Sequence, residues 1–132
     1  QDTTLSTPAN VLVLRRSPHR LIFPRCAMVI HHGGAGTTQA SLLGAAPSVI
    51  VAHIADQPFW GREMARLGVS ATPMVREQMS SKRLVRAIQS ILQNPDFKKK
   101  AQALSVQMKQ EQGVAHAIQA LEALLSKKSQ KP

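Results

Sequence analysis

The sequence carries a single cysteine, Cys26, one tryptophan, no tyrosine, and aromatic residues at only 3%. One thiol excludes an intrachain disulfide and any zinc site built from paired cysteines. The scarcity of aromatics argues against single-stranded nucleic acid, whose bases need stacking platforms among the basic residues. Acidic residues are also few, seven against seventeen basic ones, and no carboxylate cluster offers a seat for a hard cation. No apolar run approaches the roughly 20 residues that cross a bilayer. The longest, from Ala45 to Ala55, is interrupted by Pro47 and His53. The first ten residues are polar and lack the basic start of a secretory signal. Neither an internal repeat nor a low-complexity tract is present.

The 132 residues suit one domain with one buried core, and 43% apolar residues give a globular composition. A net charge of +10 favours an anionic partner: nucleic acid, anionic lipid or a phosphate-bearing ligand. Residues 1–10 read as an unstructured lead-in, 11–126 as the folded domain, and 127–132 as a basic tail. Short aliphatic runs between breakers predict strands buried on both faces at 11–14, 27–30 and 48–51, with a weaker fourth candidate at 69–74. Helical spacing predicts helices over about 37–43, 58–67, 82–92, 96–110 and 114–125. Gly68 is expected to end the second of these, and the stripe Val114, Ile118, Leu121, Leu125 to fold the last back onto the core. Alternating strands and helices imply right-handed crossovers and an open parallel sheet flanked by helices. The fold class is therefore α/β, a partial Rossmann-like domain with a helical C-terminus. Three or four strands are fewer than a doubly wound domain usually has, so the chain is expected to be its later part.

The informative stretch is HHGGAGTT, from His31 to Thr38, between a buried strand and a helix. Glycines permit positive φ and close approach, so several N–H groups can be aimed at one anion. The helix that follows adds unpaired N–H donors and the positive end of its dipole. Thr37 could cap that helix or donate its hydroxyl to a phosphate oxygen, and His32 could donate a ring N–H. The pattern alone serves a packing turn equally well, with one histidine facing the core and the other solvent. It is not a P-loop, because no Lys-Ser or Lys-Thr follows the last glycine. Nor is it the dinucleotide fingerprint, since Asp56 is the only acidic candidate beyond it.

Asp56-Gln57-Pro58-Phe59-Trp60 follows the third predicted strand, on the sheet rim where ligands of open parallel sheets bind. A carboxylate beside a carboxamide suits the vicinal hydroxyls of a sugar. Taken alone, however, Asp56 reads as the N-cap of the next helix, with Pro58 in a favoured early position.

With both motifs in order, HHGGAGTT and then DQPFWG, the sequence resembles the C-terminal, donor-binding domain of GT-B-fold UDP-glycosyltransferases (glycosyltransferase family 1), the group of sterol, macrolide and glycopeptide glycosyltransferases. The match runs from about Ser17 to Val69, and the trailing helices fit the same domain. The resemblance implies that His32 contacts the diphosphate of a UDP-sugar, with Gly34, Ala35, Gly36 and Thr37 supplying backbone and hydroxyl donors. It implies that Asp56 and Gln57 hold hydroxyls of the transferred sugar, and that Ser17, Pro18 and His19 line the uracil and ribose end. Arg16 stands where relatives often carry a uracil-stacking Trp, and Ala40 where plant members carry a ribose-binding Glu. Ala45 replaces a glycine, and Ala52 a proline that usually opens the loop to Asp-Gln. No cofactor or metal is expected, the UDP-sugar being the donor substrate.

The implied reaction moves a hexose to a hydroxyl acceptor such as a sterol, lipid or natural product, with inversion. The acceptor site and catalytic base are expected on an N-terminal domain that this sequence does not contain, so the chain alone is expected to be inactive. The alternative is a non-catalytic donor-site subunit that acts with a separate acceptor-domain partner. The basic residues read as solvated helix faces rather than a specific nucleic-acid surface, with peripheral membrane contact as a weaker alternative. The expected location is cytoplasmic or membrane-peripheral. Cys26 reads as a small core residue and Trp60 as the apolar anchor of its helix, with packing against the sugar as the weaker alternative, and His53 and His116 lack partners at ligand spacing.

Overall fold

The computed structural model describes residues 7–128. Its centre is β2 (Ser48–Ala52), whose five residues are all buried. Parallel neighbours β1 (Val29–His31) and β3 (Met74–Val75) flank it in the order β1-β2-β3. Register pairs His31 with Ile50 and Ala52 with Val75, so the loops leaving β1 and β2 emerge at one rim.

Successive side chains of β2 enter different cores, which explains its unbroken apolar run. Val49 and Val51 join Ala71, Met74 and Ile91 beneath α4 (Ser81–Gln93). Ile50 joins Met64 of α3 (Gln57–Arg66), Val69, Leu42 of α2 (Ala35–Leu43) and Ala101 of α5 (Asp96–Gln110). α1 (His19–Ile22) and the 3₁₀ turn Phe23–Arg25 pack against α2. The last helix, α6 (Gly113–Lys128), contains Lys127 and Lys128. Among the described residues no helix is long and apolar enough to cross a membrane.

Two expectations fail. Residues 11–14 form no strand: their side chains are exposed, Leu12 by 80%, and the backbone makes only a turn bond from Val11 N–H to the Pro8 carbonyl. A strand buried on both faces needs a paired neighbour and two covering layers, and no described element covers this segment. α6 does not return to the core either, since Val114, Ile118, Leu121 and Leu125 are all exposed. The surface it would have covered is already closed by α5, where Ala101 is buried and Ser105 donates its hydroxyl to the Leu43 carbonyl at 2.8 Å. The fourth strand candidate narrows to β3 and a single bridge between Ser48 and Ser70. Residues 1–6 of the expected lead-in and 129–132 of the tail lie outside the described residues.

α2 and α3 end alike. After α3, Gly68 has φ +70 and its N–H meets the Ala65 carbonyl while Val69 N–H meets that of Met64. After α2, Ala45 N–H meets the Leu42 carbonyl and Ala46 N–H that of Ser41. Both are Schellman endings, but Ala45 holds φ +52 with a Cβ attached. A left-handed alanine costs roughly 1 kcal/mol or more, which accounts for the glycine expected at this position. Ala45→Gly should raise the unfolding free energy by up to about 1 kcal/mol, seen as a higher urea midpoint at unchanged m value. A lower midpoint would show that added unfolded-chain entropy outweighs the relieved strain.

Candidate functional site

The turn from β1 to α2 is built around Gly33. Its φ is +88, and a Cβ there would come within 2.8 Å of the Ile50 side chain and 3.1 Å of the Gln57 carbonyl oxygen. Only a residue without a side chain lets the turn pass this close, and the close pass brings HHGGAGTT against the Asp56-Gln57 segment. The amide of Gly33 is held in turn by His31, whose Nδ1 accepts it at 3.1 Å.

α2 then starts earlier than expected. Gly34 is the N-cap, with φ −64, ψ 143 and no side chain to cap anything. Its carbonyl accepts the Thr38 N–H at 2.9 Å. The N–H groups of Ala35, Gly36 and Thr37 are therefore the open donors of the first turn. Thr37 is the third helical residue, which corrects its expected N-cap role: that position is held by Gly34. His32 lies exposed beside this helix end, and its ring packs so closely over Gly34 that any Cβ there would collide with Nε2. An exposed imidazole and three backbone amides thus share one helix terminus, where the dipole favours an anion.

On the adjoining loop, Ala55 holds φ +57 and Asp56 precedes α3. Asp56 does not cap that helix with its side chain, so the capping alternative fails. Its Oδ2 instead accepts the Trp60 indole N–H at 2.8 Å. Gln57 Oε1 accepts the N–H groups of His53 and Ile54 at 2.8 and 3.2 Å, pinning the loop. The pair keeps one carboxylate oxygen of Asp56 and the amide NH₂ of Gln57 available, an acceptor beside a donor.

His19 stacks on Phe23 at 4.5 Å. Its charge, with that of His32, reaches His31. Ser17 is half-buried just before α1, with no hydrogen bond to the glycine turn among the described residues. Trp60 is half-buried rather than a core plug, because Gly61 and Met64 already seat α3 on the sheet. It lines a cleft of about 360 Å³ with Ala35, Gly36, Thr38, Leu42 and Met108. Cys26 is likewise half-buried, with its thiol on the Ile22 carbonyl. His31 was not among the expected site residues. Period-two alternation along β1, in register with Ile50, marks it as the inward histidine of the pair. Among the described residues no three His, Cys, Asp or Glu side chains converge to hold a metal ion.

A short parallel sheet flanked by helices, with a helical C-terminus, is the architecture of the C-terminal half of a GT-B glycosyltransferase fold. The glycotransferase of kitacinnamycin superposes with a TM-score of 0.78 at 23% identity, over 88% of this chain and 30% of that one. The glycosyltransferase VinC, solved in complex with dTDP, superposes with 0.78 at 22%, over 91% and 30%. The family model of the erythromycin biosynthesis protein CIII-like C-terminal domain matches residues 1–124, and the chain belongs to that family. A sterol 3-beta-glucosyltransferase of Arabidopsis thaliana is 43% identical over 83% of this chain and 17% of its own length. O-mycaminosyltylonolide 6-deoxyallosyltransferase of Streptomyces fradiae is 30% identical over 87% and 27%. The chain thus spans about a sixth to a quarter of the length of these curated relatives.

Burial lowers the His31 pKa from 6.5 to about 4, helped by the neighbouring charges of His32 and His19. Protonation would also turn Nδ1 into a donor facing the Gly33 N–H. The folded state therefore binds this proton less readily than the unfolded chain. Stability is complete above the unfolded value and is lost as pH falls from about 6.5 toward 4. Unfolding free energy should drop by about 2 kcal/mol between pH 7.5 and 5. His31→Asn, which keeps an acceptor near Nδ1, should flatten that slope; an unchanged slope would assign the titration elsewhere.

Proposed function

We propose that this chain binds the UDP-sugar donor of a glycosyltransferase that moves a hexose to a hydroxyl acceptor such as a sterol, lipid or natural product. The observation that carries the reading is the convergence at Gly33. That contact sets three open amides of α2, with His32 beside them, next to the free acceptor and donor of Asp56 and Gln57. Membership of the family and the names of its relatives support the same chemistry.

In this reading the diphosphate sits on the N–H groups of Ala35, Gly36 and Thr37, with His32 as a side-chain donor and Gly34 leaving room for its ring. Ser17 and His19 line the nucleoside end, and Asp56 and Gln57 take hydroxyls of the sugar. When the bond from the sugar to the diphosphate breaks, negative charge gathers on the leaving oxygen. Fixed N–H groups and the helix dipole meet that charge without rearranging. The catalytic base comes with the acceptor site, outside residues 11–126, and the chain by itself holds donor without transferring it.

Calorimetric titration of UDP and UDP-glucose tests the assignment. His32→Ala should weaken both ligands by about tenfold or more, as expected for losing a hydrogen bond to a charged group. Asp56→Ala should weaken UDP-glucose while leaving UDP unaffected. Wild-type affinity in both variants would remove the site from this rim.

A further inference from the structure

The indole of Trp60 does something that packing does not require. Asp56 stands at the N-cap of α3, a position where a carboxylate ordinarily accepts an N–H of the first turn and adds about 1 kcal/mol. Here it makes no such bond. Pro58, the second helical residue, has no N–H to offer, and the backbone of Asp56 is already helical at φ −82, ψ −5 rather than extended. The side chain turns instead to Trp60, one helical turn on. Trp60 Nε1 donates to Oδ2 at 2.8 Å while Trp60 N–H donates to the Asp56 carbonyl at 3.1 Å. The two residues are thus joined twice, through side chain and backbone.

Trp60 is not needed to anchor the helix. Gly61 lies against Pro73 and Ile50, and Met64 is 1% exposed in the core. The indole is only half-buried, edge-on to Phe59 at 5.3 Å, and its ring forms a wall of the cleft that also contains Ala35 and Gly36 of the amide-lined helix start. Its polar edge fixes the carboxylate, and its body stands beside the glycine turn.

We infer that Trp60 is a positioning residue for the transferred sugar: its indole N–H holds Oδ2 of Asp56, so that Oδ1 and the NH₂ of Gln57 stand fixed as an acceptor–donor pair selecting a sugar with vicinal hydroxyls. The inference rests on the donor-binding reading and adds a residue that does not touch the nucleotide. Its signature is a change in the preference for UDP-sugar over UDP, which a purely structural role would leave alone.

The test uses the full chain and two ligands, UDP and UDP-glucose. Trp60→Phe keeps an aromatic ring and removes the N–H. It should leave UDP affinity within about twofold and weaken UDP-glucose by about tenfold, the worth of one charge-assisted hydrogen bond. In an Asp56→Ala background the same substitution should change neither ligand. Because Trp60 is the sole tryptophan, its indole N–H is a single NMR signal, and Asp56→Ala should move it; this reports the contact even where Trp60→Phe folds poorly. Equal losses for UDP and UDP-glucose, undiminished UDP-glucose binding, or an indole signal indifferent to Asp56→Ala each overturn the inference while leaving the donor-binding reading standing. Failure of the unmodified chain to bind UDP overturns the donor reading itself and this inference with it.

Discussion

The site depends on a missing side chain. At Gly33 the chain leaves β1, turns through a left-handed conformation and passes within van der Waals reach of Ile50 and the Gln57 carbonyl. Any Cβ would push β1 and its following helix away from β2 and its following loop. The turn is held from two sides, by His31 at its amide and by the sheet core at its Cα. From this one contact follow the direction of α2, the placing of its open amides at the rim, and the nearness of Asp56. The far end of α2 is tied independently by Ser105 on the Leu43 carbonyl, so the helix cannot pivot to relieve a clash at its start.

Polar groups at this rim are divided between fold and solvent. Gln57 spends its carbonyl oxygen on two loop amides and keeps its NH₂; Asp56 spends one oxygen on an indole and keeps the other. His31 spends Nδ1 on Gly33, while its Nε2 is buried without a partner. An unpartnered buried nitrogen costs about 1–3 kcal/mol, and a second proton would add a desolvated charge. His31 therefore stays neutral, a scaffold for the turn, whereas His32 is exposed. Two adjacent histidines differ because strand alternation sends one inward and one outward.

The sequence made some of this legible. The unbroken Ser48-Val49-Ile50-Val51 run announced a central strand because both faces of β2 are covered, and Gly68 announced a helix end because its Schellman geometry demands positive φ. The nearness of the glycine turn and the Asp-Gln segment was legible from their order along the chain and their shared rim, and the contact of Gly33 with Gln57 bears that nearness out. The failures also have physical reasons. Residues 11–14 and the α6 stripe carry the same apolar signals as buried elements, but periodicity reports what a segment can bury, not whether a covering surface exists. The N-cap was misplaced by three residues, at Thr37 instead of Gly34, because Gly34 caps through backbone alone and glycine gives no side-chain signal. Trp60 was read as core because its helix needs an apolar anchor, a role that Gly61 and Met64 fill instead.

The two left-handed alanines show how strain is spent differently in structure and in the site. At Ala45 the positive φ closes a helix, and glycine would serve as well or better. At Ala55 the same conformation aims Asp56 and Gln57 at the rim, and the loop is held there by Gln57 Oε1 on two successive amides. Ordering a rotamer-rich side chain upon binding costs about 0.5–1.5 kcal/mol. An exposed aspartate ordinarily meets that cost each time a ligand arrives. Here the Ala55 turn, the Gln57 clamp and the Trp60 indole order the carboxylate when the chain folds, so an exposed group behaves as a preorganised one. A flexible loop in the same place would offer the same atoms and lose that advantage.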